Sequence, residues 1–395
     1  MRSSPSAALA AHPHILVIPK WWPNVRDPQL GDFIRKQVQA LAGCTKVTVL
    51  LVEADPEAPA HLEHVEADGL QVIRSRYHAS RSPLTPWRKV ANLIGYWRAA
   101  MAGWRMVLSR RGLPTLVHVH ILVRPALIAR WIKDRYGIPY ILSEQSSQYL
   151  DGTYQRRGPL FHWVNRKLFA DAAGTTAVSA WLGDRLVKLG LCTSYDVVPN
   201  VIPGMERPLP PQGAPGQFMV VADLVDRTKN VSGVIRALAQ VVANGVDARL
   251  TIIGDGPDRA MLTGLAQELD LVDRITFLGR LPNTGVIDHM AHTWAVVINS
   301  RVETFSVVTG EALAQGKPVI ATRCGGPQGF VTEENGILIP VGDTDALATA
   351  MYTLMEQATK YDPERIRASV NARSSPEAVG QAFLRIHRRS LDTGK

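Results

Sequence analysis

Short, wholly apolar runs separated by longer amphipathic stretches restrict most strongly what this chain can become. HILVIP (14–19), VTVLLV (47–52), LQVIRS (70–75), LVHVHI (116–121), PYILSE (139–144), AGTTAVS (173–179) and YDVVPN (195–200) read as strands. DFIRKQVQALAG (32–43) and AWLGDRLVKLG (180–190) carry a helical repeat between them. A strand that is apolar throughout is buried on both faces, and helices must cover those faces, so the pattern predicts parallel α/β layers. The alternation restarts with QFMVVADL (217–224), ARLTIIGD (248–255), RITFLGR (274–280), AVVINS (295–300), PVIATR (318–323) and GILIPV (336–341).

Between the two series lies PNVIPGMERPLPPQGAPG (199–216), with six prolines, three glycines and no periodic apolar signal. The expectation is two doubly wound, Rossmann-like domains at 1–200 and 217–375, joined by a linker at 201–216. A last helix over 376–395, with Ser375 as its cap, is expected to pack back on the first domain. In open α/β sheets, ligands bind beyond the carboxyl ends of the strands. Two such sheets facing each other would enclose a deep cleft.

At 395 residues, 46% of them hydrophobic, the chain suits two or three packed domains and not a disordered or fibrous protein. Its apolar stretches fall short of the roughly 18–20 residues of a spanning helix. MRSSPSAALAA (1–11) lacks the apolar centre of a signal peptide and reads as a frayed start. Cys44, Cys192 and Cys324 are scattered, which predicts neither a disulfide framework nor a zinc site and fits a reducing cytoplasm. The net charge is +9, and residues 1–200 hold 25 Lys and Arg against 14 Asp and Glu, whereas residues 201–395 hold 19 against 21. A basic first half points to an anionic partner.

The stretch 303–351 is the richest in chemistry. After the strand AVVINS comes a loop, then a helix starting near Ser306 and ending at Gly316. Glu303 and Glu311 are eight positions apart, about 12 Å of rise if helical, too far to share one proton. They could instead hold opposite ends of an elongated ligand. The amides of Ser306, Val307 and Val308 would lie at a helix N-terminus, an anion-binding position. Taken alone, the pair also fits solvated glutamates around an ordinary helix.

The order of motifs is more specific. E-x7-E in a β–loop–α unit precedes AQGKPVIAT (314–322), then GG (325–326) and GILIPVGD (336–343). With IPKWWPNVRDPQLGDFIRKQVQAL (18–41), VHVH (117–120), VSAWLGDRL (178–186), VVPNVI (197–202), IIGDGPDR (252–259) and ITFLGRLP (275–282), this resembles the family 4 retaining glycosyltransferases of GT-B fold, bacterial polysaccharide branch. The resemblance implies a sugar moved from a nucleotide-diphosphate sugar, UDP- or GDP-linked, to a lipid-linked saccharide acceptor, with no metal or other cofactor. By it, Glu303 contacts the transferred sugar, Glu311 the ribose, and the Phe305–Val308 backbone, with Ser306 and Val307, the diphosphate. Lys229 in LVDRTKN (224–230) neutralises the leaving diphosphate, because a fixed cation there lowers the barrier. Gly254, Arg280 and Gly31 fall among the donor-binding positions. Asp223 stands where the family often has an arginine, so Arg227 would supply the second cation or one charge is absent.

His118 and His120 share one face of a strand. By resemblance, His120 lies beside the transferred sugar; a satisfied core histidine is the plainer reading. Glu144, ending another strand, and Arg105 are acceptor candidates. Residues 69–133 contain twelve Lys and Arg and no Asp or Glu. Within 84–112, Trp87, Tyr96, Trp97 and Trp104 interleave with Arg88, Lys89, Arg98, Arg105, Arg110 and Arg111. Basic helices with tryptophans lie in membrane interfaces, and a packing face with solvated arginines is the other reading. No nucleic-acid module accompanies the charge. The expectation is a cytoplasmic enzyme, peripheral at the inner face of the plasma membrane. A nucleotide-sugar epimerase of the same architecture, and a catalytically impaired membrane-surface module, stay open as alternatives.

Overall fold

The computed structural model describes residues 13–24 and 26–392; the frayed start expected at 1–11 lies outside the described residues. Packing divides the chain into two units. The first extends to Val201 and takes in the chain from Pro376 onward; the second is Ile202–Ser375.

The first unit runs β1 (His14–Pro19), α1 (Asp32–Ala42), β2 (Lys46–Asp55), β3 (His61–Ala67), β4 (Leu70–His78), α2 (Thr85–Arg111), β5 (Leu116–His120), α3 (Arg124–Tyr136), β6 (Tyr140–Glu144), α4 (Pro159–Ala170), β7 (Gly174–Ala177), α5 (Ala180–Lys188) and β8 (Asp196–Val197). Its sheet has the order β3-β4-β2-β1-β5-β6-β7-β8, parallel except for the antiparallel pair β3–β4. All six residues of β1 are buried, as a strand covered on both faces requires. The edge strand β3 has no buried residue, so it leaves no apolar run in the sequence. YDVVPN shrinks to a two-residue β8.

The second unit runs β9 (Gln217–Val221), α6 (Asp226–Lys229), α7 (Val231–Ala243), β10 (Arg249–Ile253), α8 (Arg259–Glu268), β11 (Ile275–Gly279), α9 (Asn283–Ala291), β12 (Ala295–Ile298), α10 (Val307–Ala314), β13 (Val319–Thr322), β14 (Gly336–Ile339), α11 (Thr344–Glu356) and α12 (Pro363–Ser374). Its sheet, β11-β10-β9-β12-β13-β14, is parallel throughout. The Pro-rich segment is a strap on this unit, not a free spacer. Prolines build no ladder, but the segment's carbonyls still need donors. Buried Lys317 donates to Pro211 O and Ala291 O, Gln315 to Gly204 O, and Arg367 to Arg207 O. Burial pulls the Lys317 ammonium down to about 8.

The chain's last helix, α13 (Pro376–Asp392), packs on the first unit. Its Val379, Phe383 and Ile386 join Ile34, Val38 and Leu41 of α1 in one apolar core. Beneath it sit both strand histidines, which do share a face: the rings of His118 and His120 lie 4.2 Å apart. His387 of α13 places Nε2 3.3 Å from His118 Nδ1, and His118 Nε2 lies 2.7 Å from Ser143 Oγ. His120, expected beside a transferred sugar, is buried against Phe383 of α13.

Burial holds His120 and His387 down to about 3 and His118 well below its ordinary value. The rings stay neutral in the fold, and the unfolded chain takes up protons first as pH falls through 6.5. Stability is present above that pH and is lost below it, by about 1.4 kcal/mol per ring per pH unit. Calorimetry between pH 7 and pH 5 should show a falling melting temperature. His387→Phe should make that fall shallower by about one proton; an unchanged slope would contradict the account.

Candidate active site

In the second sheet the chain builds from β9 outward to β11, then returns to the far side of β9 as β12. The carboxyl ends of β9 and β12 therefore form a topological switch point, where loops diverge and leave a crevice. A cavity of about 170 Å³ lies there, lined by Ala222, Lys229, Asn299, Ser300, Glu303 and the start of α10.

Two loops are tied together across this crevice. Asp226 begins the one-turn α6 and accepts hydrogen bonds from the backbone N and Oγ of Ser232. Asn230 then takes a left-handed conformation, with φ 49°. Its carbonyl accepts from Asn299 Nδ2 and its side-chain oxygen from Arg301 Nη2. From the other loop, Arg301 N donates to Thr228 O, Glu303 N to Cys324 O, and Gly326 N to Glu303 O. The result joins residues 74 positions apart: Lys229 Nζ donates to Glu303 Oε1 at 2.6 Å. Ser300 Oγ donates to the same oxygen at 2.7 Å.

The helix expected from Ser306 is α10, and Glu303 precedes it. The 12 Å spacing of Glu303 and Glu311 as one helical rise therefore does not apply. Ser306, at the N-cap, has φ 69°, a left-handed conformation that costs a non-glycine residue about 1–3 kcal/mol. Its hydroxyl pairs with Thr309 Oγ1 at 2.7 Å and makes no cap, so the first helix amides of Val307 and Val308 open toward the cavity. Glu311 is buried in α10 and accepts from Asn283 Nδ2 at 2.7 Å. Phe305 is packed edge-on against Phe330, with ring centroids 4.6 Å apart.

Asp223, in the arginine's usual place, accepts from Arg280 Nη2 at 2.9 Å. The residue after β11 thus brings a cation to the end of β9. Arg227 is exposed on α6. Gly254, at φ 137°, passes so close to β9 that a Cβ there would lie 1.8 Å from Ala222 O. Gly31 has a similar packing reason: φ is 69° and a Cβ would meet the Trp21 backbone at 2.6 Å.

In the first unit, Glu144 is fully buried. It accepts from Leu122 N at 2.8 Å and Tyr149 OH at 3.3 Å, and burial pushes its carboxyl up to about 7. Arg105 is exposed on α2, about 30 Å of helical rise beyond Thr85. Its helix ends at Arg111, whose carbonyl accepts from Lys46 at the amino end of β2. Arg105 thus sits away from the strands' carboxyl ends. A cavity of about 810 Å³ does open at those ends, and Lys20, Arg26, Arg74 and Arg76 line it beside Glu53 and Asp55. None of these was singled out from the sequence, although Arg74 and Arg76 are two apart on a strand and so share a face.

The chain contains one Asp-x-Asp triplet, Asp343-Thr344-Asp345. Its carboxylates are already engaged: Asp343 caps α11 by accepting from Ala346 N, and Asp345 accepts from Gln240. Among the described residues, no cluster of His, Cys, Asp and Glu has metal-holding geometry, and no helix is long and apolar enough to cross a membrane.

Two Rossmann-like units, the second with its polar crevice at the switch point, give the chain the GT-B fold. The families described as glycosyl transferases group 1 and glycosyl transferase 4-like domain match residues 207–374 and 30–201 respectively. The chain belongs to the family 4 glycosyltransferases. It is 34% identical over 164 residues to N-acetyl-alpha-D-glucosaminyl L-malate synthase of Bacillus anthracis, covering 41% of this chain and 42% of that protein. It is 31% identical over 216 residues to the lipopolysaccharide core biosynthesis glycosyltransferase LpsD of Rhizobium meliloti strain 1021, covering 52% and 60%. The match thus spans less than two thirds of either relative's length. Similar solved folds include sucrose-phosphate synthase from Thermosynechococcus elongatus, with TM-score 0.73, 19% identity and coverage of 97% and 100%. Anabaena HepE in complex with UDP gives TM-score 0.68 and 17% identity, with coverage of 94% and 98%.

Gly254→Ala should destabilise the second unit by more than about 3 kcal/mol, because the new methyl collides with backbone that cannot yield. Lys229→Ala should cost no more than about 1 kcal/mol, since the ion pair is partly solvated. Urea denaturation of both variants measures the contrast, and equal losses would contradict this account of the crevice.

Proposed function

We propose that this enzyme is a retaining glycosyltransferase using a nucleotide-diphosphate sugar, and that it extends a lipid-linked saccharide in cell-surface polysaccharide synthesis at the inner face of the membrane. One observation carries the reading: Lys229 and Glu303 meet at 2.6 Å beside the open amides of α10, at the switch point of the second sheet. An ammonium and a helix N-terminus suit a diphosphate, and a carboxylate suits sugar hydroxyls. The UDP bound by Anabaena HepE and the core-biosynthesis activity of LpsD support the donor class and the acceptor class.

On this reading the donor's diphosphate takes the Lys229 ammonium and the amides of Val307 and Val308, with Arg227 and Arg280 as further cations. Lys229 then turns from Glu303 to the phosphate. Glu303 is left with Ser300 and accepts hydroxyls of the transferred sugar, while Glu311, steadied by Asn283, accepts ribose hydroxyls. The anomeric carbon–oxygen bond to the phosphate breaks, and the electron pair leaves with the phosphate oxygen. The acceptor hydroxyl bonds to the same face of that carbon, and its proton passes to the departing phosphate. The cations and amides meet the growing charge on the phosphate, so no metal is required. The first unit serves the acceptor through the cavity lined by Lys20, Arg26, Arg74 and Arg76.

Lys229→Ala and Glu311→Ala should each lower transfer by about 100-fold or more while the protein still melts as a folded chain. The measurement is release of UDP or GDP from nucleotide sugars, with and without saccharide acceptors. Near-normal turnover by both folded variants would refute the assignment. A product that remained a nucleotide sugar would mark an epimerase instead.

A further inference from the structure

We propose that the outward face of α2 is a docking surface for an anionic lipid bilayer, with the first half of the helix as the inserted part. The helix has two apolar faces. Tyr96, Ala99, Ala100, Gly103, Trp104 and Val107 point into the unit and are buried. Trp87, Val90, Ile94 and Trp97 recur at intervals of three and four and so form a separate stripe. Their exposures are 62%, 48%, 47% and 36%, values a water-facing helix has no reason to keep. The aromatic residues therefore divide differently from the continuous basic-aromatic helix expected from sequence: Tyr96 and Trp104 are core, and Trp87 and Trp97 are surface.

Charge identifies the occupant. Arg88, Lys89 and Arg98 are exposed on the same half of the helix, and no Asp or Glu occurs between positions 69 and 133. Tryptophans at both ends of an apolar stripe with cations alongside suit the headgroup boundary of an acidic membrane. The stripe is held firmly. Tyr77 at the end of β4 packs edge-on to Tyr96, with centroids 6.3 Å apart, and Trp97 packs edge-on to Trp131 of α3 at 6.0 Å. Thr85 starts α2 just after β4, the strand whose Arg74 and Arg76 line the 810 Å³ cavity. A docked stripe would thus keep the cavity's rim near the headgroups.

The test is flotation of the full chain with phosphatidylcholine vesicles, with and without phosphatidylglycerol. It uses no donor or acceptor, so its outcome is separate from the transferase reading. The wild type should float mainly with the phosphatidylglycerol vesicles. Trp87→Ser with Ile94→Ser should lower binding about tenfold or more. Arg88→Gln, Lys89→Gln and Arg98→Gln together should lower it about 100-fold on the acidic vesicles alone. Brominated lipid should quench wild-type tryptophan fluorescence, and Trp87→Phe with Trp97→Phe should remove that quenching. Wild type that stays with the protein fraction, folded variants that float equally, or stripe variants that merely turn a dimer into a monomer would each overturn the proposal.

Discussion

Everything at the crevice depends on one ammonium and one carboxylate held within hydrogen-bond distance by two loops that have no sequence proximity. Lys229 and Glu303 are only partly exposed, at 27% and 15% of their side chains. Such a pair pays desolvation on both sides and returns little stability. Its placement follows from topology: β9 and β12 are neighbours in the sheet but not in the chain. Their carboxyl-end loops must diverge, and any charges they carry face a common space.

The surrounding groups keep that space in order. Asn299 donates to the Asn230 carbonyl and the Asn230 side chain accepts from Arg301, while Ser306 accepts a strained conformation that leaves its helix uncapped. Strain at an uncapped helix start is retained only where neighbouring packing over-determines it. Here the Phe305–Phe330 contact and the bridge between Glu303 and Gly325 supply that packing. The carboxyl end of the first sheet is organised differently. Ile121, a β-branched residue at φ 64°, turns the chain so that the next amide, that of Leu122, reaches buried Glu144.

Most of the fold could be read from the sequence because its strands are apolar on both faces, and such runs have no other stable use. β1, β12 and β13 end within two residues of the apolar blocks that announced them. β3 was invisible because an exposed edge strand needs no apolar face. The site was legible where one short stretch carries it, from Glu303 through Glu311. Asn283, Ser300 and Arg301 were not, because their roles arise from loops meeting in space. The histidines of β5 show the same limit. Their shared face followed from strand geometry, but what covers it is a helix some 260 residues later. The Pro-rich segment looked like a spacer because local sequence cannot show that Lys317 is buried beneath it.

The helix α13 makes the first unit discontinuous. Phe383 and Ile386 complete a core whose other members were made hundreds of residues earlier. A ribosome releases the residues of the second unit, Ile202–Ser375, before those of α13. The second unit can close as one stretch during synthesis, whereas the first must wait with part of its apolar surface uncovered until the final helix emerges. In this chain, the half that is translated first is the half that matures last.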